Sequence, residues 1–153
     1  MSINLTKKQY ECLIKALEAA NSVYGILGDS VSDEYKKQSN EIEELTDYFL
    51  SLARDFGMEH ITQKYKEKLI LDDVYAESLD EVIDDYNNEI FWDELQTRLG
   101  KRDFERTITE AEKKEIIKNH GWYPDRIREL YEVWSKELED NGVENLGILK
   151  DKK

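Results

Sequence analysis

The sequence predicts an all-α protein, an irregular bundle of five to six helices in a single domain spanning residues 1–153. Three observations carry this. One proline, Pro124, occurs in 153 residues. Apolar residues recur at spacings of three and four, the helical period, while strand-like alternation is scarce. Helix-start signals, a hydroxyl residue followed three positions later by Gln or Glu, precede two of the periodic runs.

Thr6 with Gln9 opens the first helix, whose apolar stripe is Tyr10, Leu13, Ile14, Leu17, Asn21 and Tyr24. Gly25 and Gly28 are read as its stop, with Gly28-Asp29-Ser30 as a turn. A second helix starts near Ser32 or Asp33, buries Ile42, Leu45, Phe49, Leu52 and Phe56, and meets Gly57 as a left-handed terminator. Residues 58–71 are ambiguous. Met58, Ile61, Tyr65 and Leu69 permit a helix, and Leu69-Ile70-Leu71 permits a short extended piece.

The third helix carries Leu79, Val82, Ile83, Tyr86 and Ile90 on one side and Glu77, Asp80, Glu81, Asp84 and Asp85 on the other, at ~100° per residue. A continuing turn or new helix brings Phe91, Trp92, Leu95 and Leu99 before Gly100. Thr109 with Glu112 opens a short helix through Ile116 and Ile117 to His120-Gly121. Pro124 then marks the start of a last helix, where its missing N–H costs nothing. That helix buries Ile127, Leu130, Tyr131, Trp134 and Leu138 and stops at Asn141-Gly142. A tail follows that docks through Leu146, Ile148 and Leu149 and frays over residues 150–153.

The formal net charge is −13, and it is unevenly placed. Residues 29–94 hold 20 acidic and 6 basic side chains, while the remainder hold 15 and 16. Such a field repels nucleic acid and anionic membranes, whose affinity comes from Lys and Arg. The sensible partners are proteins with basic surfaces or divalent cations. The lone Cys12 forms no internal disulfide and no zinc site. It is expected half-buried and inert, because nothing nearby lowers its pKa. No membrane span or signal peptide is visible, so a cytoplasmic protein is expected.

The catalytic inventory is thin. His60 is expected to be exposed, and His120 to end a helix where its charge suits the dipole. Phosphate-cradling glycine patterns, nucleophile elbows, Cys-x-x-Cys pairs and His-Glu-x-x-His are absent from the sequence. No cofactor is expected.

The most informative stretch lies between Lys68 and Arg98. It holds ten carboxylates and no basic residue. Glu77 with Glu81, and Asp80 or Glu81 with Asp84, are like-charge neighbours that each cost an isolated helix roughly 0.2–0.5 kcal/mol. One reading is a solvated outer face that keeps the protein soluble, although such a face usually intersperses lysines. Glu77, Asp80, Glu81, Asp84 and Asp85 are therefore the candidate binding surface for a protein with a basic surface, with electrostatic steering. Its most specific form is an inhibitor or nucleic-acid mimic. Trp122, in the loop before Pro124, is a candidate interface anchor beside Tyr123; the alternative is an aromatic plug under the turn. Self-association is a further reading. Arg98, Lys101, Arg102 and Arg106, directly after the acidic block, read as structural cations near a helix end.

Two resemblances bear on this. Glu41-x-x-Glu44, followed by Glu77-x-x-Asp80 and Glu81-x-x-Asp84, resembles the Mg²⁺-holding carboxylates of all-α nucleotide pyrophosphohydrolases. That likeness implies a metal at Glu41, Glu44, Glu77 and Asp80. Against it, the gap between the pairs is longer than that family's, such pairs arise by chance in an acidic chain, and the helical wheel turns Glu77 and Asp80 toward water. The run Phe91-Trp92-Asp93-Glu94-Leu95, continued by Arg98-Leu99-Gly100-Lys101-Arg102-Asp103-Phe104, resembles the core of a family of small acidic bacterial proteins. Leu5 to Tyr10 and Glu139 to Leu146 are similar to that family's two ends. Gly100 stands where alanine is expected and Phe104 where leucine is. The resemblance covers about a third of the chain; it implies a helical fold and transfers no site.

Overall fold

The computed structural model describes residues 4–147. By its internal packing the chain divides into two compact units, Met1–Tyr86 and Asn87–Lys153. The division falls inside a helix and has no linker, so composition gives no sign of it against the expected single domain.

The first unit is built on a helical hairpin. Helix α1 spans Lys7–Ser30, and its capping box forms as the sequence predicts: Gln9 N–H donates to Thr6 Oγ1 at 3.3 Å while Thr6 N–H donates to Gln9 Oε1 at 2.9 Å. Helix α2 spans Asp33–Ser51, capped by the Ser32 hydroxyl, which accepts from Tyr35 N–H. Gly25 and Gly28 do not stop α1. Gly28 lets the helices approach, because a Cβ there would lie 2.8 Å from Lys36 Cα.

Between the far ends of the two helices sits the core: Tyr10, Ile14, Leu50, Ala53, Met58 and Ile61. Tyr10 is fully buried, stacks on Phe56 at 4.3 Å and donates its hydroxyl to Phe49 O at 2.7 Å. The α2 stripe runs one position off the expected register. Leu45 is 45% exposed, and Thr46 is buried in its place. Thr46 tolerates this because its hydroxyl donates to Ile42 O and accepts from the Asn21 amide.

After two short 3₁₀ turns, Ala53–Phe56 and Glu59–Ile61, the ambiguous stretch resolves as an antiparallel hairpin. Strands β1 (Thr62–Tyr65) and β2 (Lys68–Leu71) pair Thr62 with Leu71 and Tyr65 with Lys68. Lys66 takes the left-handed conformation at the turn, with φ of 54°. The protein is thus mostly α with one small two-stranded sheet, and the all-α expectation needs that amendment.

Helix α3 runs without a break from Asp73 to Thr107, so the expected acidic helix and the following aromatic turn are one element. Val82 and Tyr86, expected on a buried side, are 62% and 56% exposed, and Ile90 is also exposed.

In the second unit the C-terminal part of α3 joins α4 (Glu110–Lys118) and α5 (Arg126–Asn141). Gly100 does not end a helix. It is buried within α3, where a Cβ would lie 2.5 Å from the Tyr131 ring. Phe104 is fully buried, with Tyr123 edge-on at 5.3 Å and the Arg126 guanidinium over its ring. Trp134 donates to Asp103 at 2.8 Å, and Arg102 pairs with the same carboxylate at 2.8 Å, as does Arg98 with Glu94. These cations pair with carboxylates of α3, but only Arg106 stands in the helix's last turn; Arg98, Lys101 and Arg102 lie inside α3 and not at the helix end expected of them. No residue of α4 is buried, and Ile117 is 78% exposed. Leu146 is half-buried, while Ile148, Leu149 and the tail beyond lie outside the described residues.

The polar fastening of this unit is Glu112. Its carboxylate accepts from Thr109 N–H and hydroxyl, both at 2.8 Å, closing the predicted capping box. It also accepts from Arg126 Nε at 2.6 Å and Nη2 at 3.2 Å. The Arg126 guanidinium first, and then the Thr109 bonds, hold the Glu112 pKa down to about 2. A carboxyl depressed on folding contributes stability that is complete above its unfolded value of 4.5 and is lost as pH falls from there to about 2. Glu112→Gln is expected to flatten the thermal midpoint against pH across that acid window; an unchanged acid limb would contradict it.

The glycines make a second, signed prediction. Gly25 has nothing within 4 Å of an added Cβ, so Gly25→Ala should stabilise by about 0.5–1 kcal/mol through helix propensity. Gly100→Ala should destabilise by about 1–3 kcal/mol through overpacking against Tyr131. Denaturant unfolding of the two variants reads both signs.

Candidate functional site

Helix α3 begins directly after β2, and Asp72 accepts from Val74 N–H at 3.1 Å at its start. The helix therefore enters with its apolar Tyr75, Ala76 and Leu79 toward α1 and the core, and with its acids outward. Glu77, Asp80, Glu81, Asp84 and Asp85 are all exposed, as the wheel predicts. Among the described residues, no Lys, Arg or His nitrogen lies within 4.0 Å of any of their carboxylate oxygens. By contrast Glu94, at the end of the cation-free stretch, pairs with Arg98 at 2.8 Å.

Beside this face, α1, β2 and the first turns of α3 enclose a partly open cavity of about 120 Å³. Its apolar lining is Ala19, Leu71, Ala76, Leu79, Val82 and Ile83. The polar lining is Lys15, Glu18, Ser22 and Asp80. Asp80 thus belongs both to the acidic face and to the cavity wall. Lys15 is tied to Glu11 at 3.0 Å. Glu18 is half-buried and its carboxyl is pushed above the ordinary carboxylate value: burial is the main cause, the Asn21 amide opposes it, and the Asp80 charge adds to it. Away from the cavity lining, the Tyr75 hydroxyl and Asn21 Oδ1 are buried without a protein partner among the described residues. Burial pushes the Tyr75 hydroxyl pKa up as well.

The cavity residues on α1 were not among those singled out from the sequence. Their signal is present in hindsight: Glu18 stands beside Leu17 and four after Ile14, a carboxylate at the margin of a buried stripe. Which carboxylate of α3 it faces is set by long-range packing and leaves no local trace.

Glu41 and Glu44 are exposed on α2. Among the described residues, no group of three or more His, Cys, Asp or Glu side chains is placed to hold a metal ion, so Glu41, Glu44, Glu77 and Asp80 do not converge. A cavity of about 120 Å³ also falls well below the ~300–1,000 Å³ typical of small-molecule sites. Cys12 is exposed rather than half-buried, and His60 is exposed as expected.

Trp122 belongs to the second unit and is 79% exposed. The turn carrying it is left-handed at His120 (φ 53°) and Gly121 (φ 94°), with Gly121 N–H donating to Ile116 O at 2.8 Å as α4 ends. Beside Trp122, the partly exposed Tyr123 lies edge-on to Phe104 with Lys101 over its ring.

Comparison with protein-family models, curated proteins and solved structures finds no match to this chain. No described helix is long and apolar enough to cross a membrane.

The division of labour in the turn is testable. Trp122→Ala should change stability by no more than about 0.5 kcal/mol, as for an exposed side chain. Tyr123→Ala should cost about 1 kcal/mol or more through its lost aromatic pair. Thermal unfolding with equal losses for both would contradict the assignment.

Proposed function

We propose that this protein acts by binding another protein that carries a basic surface, and that the acidic face of α3 is the contact. The single observation behind this reading is the set of five exposed carboxylates, Glu77, Asp80, Glu81, Asp84 and Asp85, without a cation within 4.0 Å among the described residues. They stand at i, i+3 and i+4 spacings, so at least four like-charge pairs together cost on the order of 1–2 kcal/mol. A surface kept only for solubility has no need of that cost, because a surface with both signs of charge interspersed is soluble as well. A basic partner turns the same repulsion into attraction and speeds encounter by steering.

The reading is non-enzymatic and places the protein in the cytoplasm, where a carboxylate-rich surface meets basic proteins. Trp122, exposed on the turn after α4, is the second binding residue of the proposal. Truncating such an aromatic costs affinity where it anchors an interface.

The test is binding to a defined polybasic probe and affinity capture from the native host, each with wild type and with Asp80→Lys plus Asp84→Lys. Both side chains are exposed, so circular dichroism should be unchanged. Binding should be salt-sensitive and should fall about tenfold or more in the double variant, since each reversal replaces an attraction by a repulsion. Unchanged binding by the double variant would remove the acidic face from the function.

A further inference from the structure

The cavity beside the acidic face narrows what kind of basic partner fits. An opening of about 120 Å³ is too small for a nucleotide or drug-sized ligand. It is close to the ~150 Å³ of an engineered apolar cavity that takes up benzene, which is the scale of a single apolar side chain. Its walls supply what such a side chain needs. Ala19 and Ala76 leave the space, Leu71, Leu79 and Ile83 line it apolarly, and Val82 stands 62% exposed on the lining.

Charge supplies the rest. Asp80 lines the cavity itself, while Glu77 and Asp84, one turn away on either side, are exposed and unpaired. Glu18 on α1 and Asp80 on α3 both line the cavity. A cation arriving at the mouth would meet two carboxylates that repel each other in its absence. Lys15, the one cation on the lining, is held by Glu11 and so does not fill that role.

The geometry points to a protein segment in which one apolar side chain, leucine-sized, is flanked by lysine or arginine: the side chain enters the cavity between α1 and α3 while its basic neighbours pair with Asp80, Glu77 and Asp84. This rests on the proposed function and adds a specificity that charge alone does not have. Affinity should depend on the apolar anchor as well as on the cations, because burying the anchor removes apolar surface from water that a polylysine leaves exposed.

The probe is a pair of synthetic helical peptides of alanine and lysine, identical except for a central leucine or alanine. Binding is read by calorimetry or fluorescence anisotropy. Wild type should bind the leucine peptide about fiftyfold tighter than the alanine peptide, given roughly three methylene equivalents buried. Filling the cavity from either wall, by Ala19→Leu or Ala76→Leu, should bring that ratio to about one while leaving the alanine peptide's affinity unchanged. Using both walls guards against one variant failing to fold. Glu77→Lys plus Asp84→Lys, neither on the cavity lining, should weaken both peptides equally. Equal affinities of the two peptides for wild type, or a ratio that survives both filled variants, would overturn the anchor. If charge dependence persists in that case, the acidic-face reading stands without it. A leucine preference that survives with no loss in the Glu77→Lys, Asp84→Lys variant would overturn the acidic face instead.

Discussion

Helix α3 imposes the constraint on which the rest depends: of its 35 residues, only Gly100 and Phe104 are buried. Helices in proteins draw most of their stability from a packed apolar face rather than from propensity. In the first unit α3 is packed through Tyr75, which sits against the core, and through Ala76, Leu79 and Ile83 on the cavity wall. In the second it is packed through Gly100 against Tyr131 and Phe104 against Tyr123 and Arg126. The carboxylate-rich turns of the first unit carry like charges and no i,i+4 ion pair. They are a stretch where the helix persists against its own electrostatics because neighbouring turns are packed.

On the proposed reading that arrangement serves recognition. Glu77, Glu81, Asp84 and Asp85 are exposed and Asp80 lines the cavity, and among the described residues Glu41 and Glu44 join no metal-holding group with them. Recognition needs an exposed field of one sign, a shape that rewards the right partner and little reorganisation. The acidic face supplies the first and the side-chain-sized cavity the second. The helical hairpin of α1 and α2, closed around Tyr10, supplies the rigidity. The charge is also local: Arg98, Arg102 and Arg106 neutralise Glu94 and Asp103.

What could be read from the sequence was what is encoded within a few residues. Both capping boxes, Thr6 with Gln9 and Thr109 with Glu112, formed as spaced, and the outward turn of Glu77 to Asp85 followed from the helical period. The errors share a cause. Gly28 and Gly100 look like helix stops locally, yet each is a point of close approach to a residue on another helix, Lys36 and Tyr131. Leu45 and Thr46 exchanged places because a threonine that satisfies its hydroxyl within the helix can be buried. The hairpin at residues 62–71 was hidden because four-residue strands are too short to establish a period. Among the site residues, the acids and the exposed Trp122 were legible. Glu18 and the alanines of the cavity were not, since they matter only through what packs opposite them.

The central claim is that the acids of α3 in the first unit form an uncompensated, mutually repelling surface held in place by packing. Amide hydrogen exchange over residues 77–86, measured from low to high sodium chloride, tests it most directly. Screening weakens repulsion between exposed charges, so protection of these amides should rise with salt, and by more than that of α1. Protection that falls with salt would mean that hidden ion pairs stabilise this stretch, and would contradict the account.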